Sequence, residues 1–190
     1  MPTNYVFTNK VILIELSSPQ VGGVLTSSLF SMWVEEFSTS FGAGKGLSIS
    51  VTKAVNTFPL PSKIDEGIAD LWQRWWQNAM SWCAESDCGL TTLFNHVHSG
   101  DESDAAIQEI RSLLQEIDRR VCDDYGIPFA LNYDVRATPR GTRFTVSPEQ
   151  RAEVLSFLLD LNRERVGQAR TATTSRRRSS AASGNLELPV

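Results

Sequence analysis

Apolar and polar positions change period several times along this chain, and each change predicts an element. Tyr5-Val6-Phe7 and Val11-Ile12-Leu13-Ile14 flank Thr8-Asn9-Lys10, two β-rich runs around a polar turn that predict a hairpin. Ser17-Ser18-Pro19 to Gly23 interrupts the pattern. From about Val24 the spacing of Leu25, Leu29, Met32, Trp33 and Phe37 becomes helical and predicts a helix covering that hairpin. A glycine-rich loop from Phe41 to Gly46 precedes Leu47-Ser48-Ile49-Ser50-Val51, which alternates like a half-buried strand. In Thr57-Phe58-Pro59-Leu60-Pro61 two prolines hold the chain extended, and this predicts the boundary between two lobes.

Beyond Pro61 the chain reads as helical. Ile64, Ile68, Leu71, Trp75, Ala79 and Trp82 recur at three and four residues, and Trp72 and Trp76 widen the stripe. Rings of that size bury roughly 150–250 Å² each, so they must pack on another helix or on a partner. The clearest helix runs from about Ser103 to Tyr125, with Ile107, Ile110, Leu114, Ile117, Val121 and Tyr125 as its seam. Asp101, Ser103 and Asp104 favour its start, while Gly126 and Pro128 stop it. A brief extended run, Gly141 to Val146, precedes Ser147-Pro148-Glu149-Gln150, a cap, a first-turn proline and a capping-box glutamine in order. The last helix, on Val154, Leu155, Leu158, Leu159 and Leu161, is expected to end near Val166. The expected fold is α+β. It comprises a small β-hairpin and helix lobe over residues 1–61, a mainly α-helical bundle over 62–167, and a disordered arginine- and serine-rich tail over 168–190.

An apolar fraction of 41% suits a globular chain with a core. No stretch of eighteen apolar residues occurs, and Met1 to Lys10 lacks the pattern of a signal peptide, so a cytoplasmic location without membrane contact is expected. Three cysteines, an odd number, fit free thiols in a reducing compartment. Charge is uneven: Leu60 to Ala130 holds five basic and thirteen acidic residues, a balance of −8. Asn162 to Val190 holds six arginines and two glutamates, a balance of +4, with Arg176, Arg177 and Arg178 in succession. Polyanions are repelled by the first stretch and attracted by the second.

Several constellations invite chemistry and fail on spacing. Gly42-Ala43-Gly44-Lys45-Gly46 resembles a phosphate loop, but Thr39 stands where the first glycine belongs and Gly46 where a hydroxyl must hold magnesium. A flexible turn is the better reading. Cys83, Cys88, His96 and His98 offer zinc-type donors at poor spacing, so buried thiols and surface imidazoles are the plainer expectation. No nucleophile turn is present, nor a cofactor-binding glycine loop, nor an Asn-Pro-Pro-aromatic motif for a flipped base. No cofactor is therefore expected in this chain, and any enzymatic role is borrowed from another domain.

Read in order, the segments resemble the C-terminal end of the large adenine-N6 DNA methyltransferases of fused restriction-modification enzymes and of phage-defence systems of the BREX and DISARM kinds. Pro2 to Phe7 with the hydrophobic run after it, and Leu25 to Trp33, resemble the late target recognition domain; Thr57 to Pro61 resembles the signature closing it. Leu90-Thr91-Thr92-Leu93-Phe94-Asn95, Asp124-Tyr125-Gly126, and Arg143 through Arg165 resemble landmarks of the helical domain that follows. Phe94 and Ile127 depart from the usual tyrosine and tryptophan, and the arginine tail has no counterpart. The resemblance implies a clamp on double-stranded DNA, with S-adenosylmethionine bound and adenine methylated by a separate domain. A start inside a recognition domain leads us to expect a truncated or split gene product, with the catalytic portion as a possible partner chain. Candidate DNA contacts are Lys45, Lys53, Arg136, Arg140 and Arg143, in loops or strand ends, together with the tail. The alternative is an autonomous helical interaction module that offers its tryptophan face to a protein.

Overall fold

A proline-started helix opens the described part of the chain. The computed structural model describes residue 12 and residues 14–40, 47–138 and 141–182. Helix α1, Pro19–Thr26, begins where the sequence predicts an interruption, because a proline at the first helical position leaves no amide unsatisfied. The single helix expected from Val24 to Phe37 is two, broken at Ser27. This residue is extended and its hydroxyl accepts from the Phe30 amide (3.4 Å), capping α2, Ser28–Glu36. The run Thr26-Ser27-Ser28 gives the backbone local hydroxyl partners that compete with a continuous helix, as the Thr26 bond to the Gly22 carbonyl (2.9 Å) illustrates. α1 lies so close on the next long helix that a Cβ added at Gly23 would stand 2.3 Å from Ile68 Cγ2.

The strand expected from Leu47 to Val51 is shorter. Two-residue strands β1, Thr39–Ser40, and β2, Leu47–Ser48, pair antiparallel. Ser50 then caps a π-helical turn, Val51–Val55, closed by the Asn56 amide on the Val51 carbonyl (2.8 Å). The expected hairpin at Tyr5 to Ile14 and the loop Gly42 to Gly46, with Lys45, fall outside the described residues, apart from Ile12 and Ile14.

The helical core follows the predicted seams. Helices α3, Gly67–Glu85, α4, Leu90–Val97, and α5, Ala105–Tyr125, pack on one another. Asp104 caps α5 through the Ala106 amide (2.8 Å), and Gly126 ends it at φ 71°, a left-handed conformation that suits glycine. Ile68, Trp75, Ala79 and Trp82 are buried with Ile107, Ile110, Ile117 and Val121. The same cluster takes in Val24, Leu29, Trp33 and Phe58 from before the two prolines, so buried residues on both sides of Pro59 and Pro61 share it.

The chain then forms a hairpin, β3, Tyr133–Thr138, and β4, Gly141–Val146, and a long helix, α6, Pro148–Ala182. The fold is α+β as expected: mostly helical, with small antiparallel strand pairs. Ser147 caps α6 through the Gln150 amide (3.2 Å). Gln150 does not close a capping box; its side chain donates to the Ala130 carbonyl (2.8 Å) and accepts from the Asn132 amide (2.6 Å), tying α6 to the segment entering β3. α6 also runs well past Val166, where it was expected to stop, and so the stretch from 168 to Ala182 expected to be disordered is helical. Alanine, arginine and glutamine favour helix, and between Gly167 and Ala182 no proline or further glycine breaks it. Among the described residues no helix is long and apolar enough to cross a membrane.

Candidate nucleic-acid interface

Alternation along β3 sets Tyr133, Val135 and Ala137 on one face of the hairpin and Asp134, Arg136 and Thr138 on the other. The register pairs Arg136 directly with Arg143. Like charges in that position disfavour the sheet, so this end of the hairpin is built at some cost and presents cationic character. The two residues between β3 and β4 include Arg140, which lies outside the described residues. One hairpin thus carries three of the five expected contacts in its sequence.

Their environments differ. Arg136 Nη2 stands 3.5 Å from Asp134, its Nε is buried without a partner, and its charge also reaches Glu149. The Glu149 carboxyl is held below its ordinary range, first by a backbone amide, then by the Ser147 hydroxyl, with Arg136 a smaller cause. Arg143 is half-buried and has no carboxylate within ion-pair distance among the described residues. Lys53, exposed on the π-helical turn, is not gathered with them. Thr57, bonded to the Lys53 carbonyl (2.6 Å), meets α6 at Asn162 (2.5 Å), whereas the hairpin joins α6 at Ser147. That interval of helix is about 20 Å long at ~1.5 Å per residue.

The opposite face of the hairpin is anchored to the helices. Tyr133 stacks on Phe144 (5.6 Å, 22°). The Phe144 amide donates to the His98 carbonyl (2.8 Å), and His98 Nδ1 lies 3.1 Å from the Phe144 carbonyl. Burial lowers the His98 pKa, with Arg143 and Arg111 adding to the effect against the Phe144 bond, so the ring is neutral at pH 7. Arg111, buried on α5, donates to the carbonyls of Val97 (2.7 Å), His96 (3.0 Å) and Ser99, and its guanidinium sits 4.8 Å over the Phe144 ring. It satisfies the carbonyls that α4 leaves open at its end and presses β4 onto them.

A second polar cluster fixes β3. Asp118, fully buried on α5, accepts from the Ser28 amide (2.7 Å), the Ser28 hydroxyl (2.8 Å) and the Tyr133 hydroxyl. Burial pushes its carboxyl up to about 6, against the lowering effect of those three donors. The carboxylate sits at the start of α2 and joins α2, α5 and β3. Neither Arg111 nor Asp118 was singled out from sequence, although both stand inside the apolar seam of α5, Arg111 between Ile110 and Leu114 and Asp118 beside Ile117. A charge at a core position of an otherwise apolar stripe was the available signal.

The four zinc-type donors named from spacing lie apart. His96 Nδ1 bonds Glu102, His98 faces Phe144, and the Cys88 amide bonds the Cys83 carbonyl at the end of α3. Among the described residues no three such donors converge. Trp75 and Trp82 are buried, Trp72 donates to the Thr26 hydroxyl (3.1 Å), and Trp76 stays 43% exposed. No protein-family model, curated protein or solved structure matches this chain.

Proposed function

We propose that this chain is a non-catalytic DNA-contacting module of the kind that closes large adenine-N6 DNA methyltransferases, acting in restriction-modification or phage defence in the cytoplasm. S-adenosylmethionine binding and methyl transfer belong, in this reading, to another domain or chain. The observation that carries it is the β3–β4 hairpin, which sets Arg136 opposite Arg143 on a scaffold locked by Asp118 and Arg111. Guanidinium groups on a fixed hairpin can meet phosphate oxygens with little loss of freedom. The acidic α5 supports the same orientation, because its cations Arg119 and Arg120 are engaged with Glu116, Asp123 and Asp65. The adaptor alternative draws less support, since most of the tryptophan face is packed inside the chain.

The test is fluorescence anisotropy with a labelled random-sequence duplex at low salt. Wild type should bind, and Arg143→Glu should bind about ten-fold more weakly, uniformly across sequences, as loss of a phosphate contact requires. Equal affinity of the two proteins would remove the hairpin from the interface.

A further inference from the structure

Helix α3 ends in a Schellman turn that holds a cysteine at each of its two contact positions. The Cys88 amide donates to the Cys83 carbonyl (3.0 Å) and the Asp87 amide to the Ala84 carbonyl (3.4 Å), the two bonds that define this motif. Asp87 takes the left-handed conformation the turn needs, φ 48°, which aspartate tolerates better than most side chains. Such turns bring together the residue in the last helical turn and the residue just past the left-handed one, usually as an apolar contact. Here the pair is two thiols, placed at those positions by the Cys88 amide bond to the Cys83 carbonyl (3.0 Å). Both are free, Cys83 buried and Cys88 partly exposed, while the third cysteine, Cys122, is buried on α5.

We propose that Cys83 and Cys88 form a redox-active dithiol, which small-molecule disulfides of the glutathione class convert to an intramolecular disulfide. Cys88 is the entry point because solvent reaches it. Its thiolate attacks one sulfur of the oxidant, forming a mixed disulfide and releasing one small thiolate. Cys83 then loses its proton to solvent and attacks the Cys88 sulfur, which releases the second small thiolate. The two cysteines are oxidised by two electrons, the small disulfide is reduced to two thiols, and the two protein protons end on them. Burial, and then the neighbouring Cys88, push the Cys83 thiol up, so the second step quickens as pH rises. The bond would fasten the end of α3 to the start of α4, whose own end carries the His98 and Arg111 contacts to β4.

The experiment is equilibration of the folded chain in graded ratios of oxidised to reduced glutathione, acid quenching, alkylation and tryptic mass spectrometry. No lysine or arginine lies between Trp75 and Ile110, so one peptide ending at Arg111 contains both cysteines. That peptide should lose two hydrogens while Cys122 is alkylated as a free thiol. The equilibrium constant in the folded chain should exceed that of the urea-unfolded chain by at least about ten-fold, because the turn raises the effective concentration of one thiol at the other. Cys122→Ser should oxidise as wild type does. Equal oxidation of the folded and unfolded chains, a bridge to Cys122, or glutathione adducts with no internal bond would overturn the proposal.

Discussion

Replacing Trp75 with alanine should lower the unfolding free energy by about 3–5 kcal/mol, the range for emptying a large aromatic site in a core. Against a typical total of about 5–15 kcal/mol, that loss brings the chain near the edge of folding. Trp75 is only 3% exposed and its ring lies 6.1 Å from Phe94, so alanine leaves a cavity between α3 and α4. Its indole N–H is buried without a partner, and Trp75→Phe, which forfeits no hydrogen bond, should cost far less than the alanine change. Trp82→Ala should cost a similar amount by a different route. Trp82 Nε1 donates to Asp104 (2.9 Å), the residue that caps α5, so there even phenylalanine removes a bond at the cap. Urea denaturation of the variants measures these differences. An unchanged midpoint for Trp75→Ala would mean that the tryptophan face serves a partner rather than the core.

The stability of wild type relative to Asp118→Asn should fall between pH 4 and pH 7. Burial raises the Asp118 carboxyl from its ordinary 3.8 to about 6, so the folded chain binds this proton more tightly than the unfolded chain does. The favourable contribution is therefore fully present below 3.8 and is lost as pH rises through about 6. Its full size is about 3 kcal/mol at ~1.4 kcal/mol per tenfold change in proton affinity. Asparagine keeps an acceptor oxygen for Ser28 and Tyr133 but does not titrate, which isolates the effect from other carboxylates. Urea midpoints for both proteins at pH 4 and pH 7 check it. A difference that stays constant, or that grows in favour of wild type as pH rises, would contradict this reading of the cluster.

Long periodic segments were legible in the sequence because burial on one face dictates their spacing. The α5 seam, its Asp104 cap and the Gly126 stop stand as expected, and so does the Ser147-Pro148 start of α6. Short-range competition was harder to read. Ser27 breaks one expected helix into two, and Ser50 turns an expected strand into a π-helical turn, because hydroxyl capping outweighs weak periodicity over a few residues. Strand β3 was missed although Tyr133, Val135 and Ala137 alternate with polar residues, since its partner run and the turn between them had to be read together. Helix α6 runs beyond the expected end near Val166 because alanine and arginine carry a helix without core-forming residues. Of the candidate contacts, Arg136 and Arg143 come together only through strand register, which one-dimensional spacing does not contain, and Lys53 lies apart from them.

The salt dependence of duplex binding tests the central reading most directly. Dissociation constants for wild type and for the double variant Arg140→Glu/Arg143→Glu, measured from about 50 to 200 mM salt, give slopes that count phosphate contacts. If the hairpin is the DNA-contacting element, the double variant's slope should be shallower by about 2, with the same change on unrelated duplex sequences. Parallel slopes for the two proteins, or no binding by wild type at the lowest salt, would contradict the account.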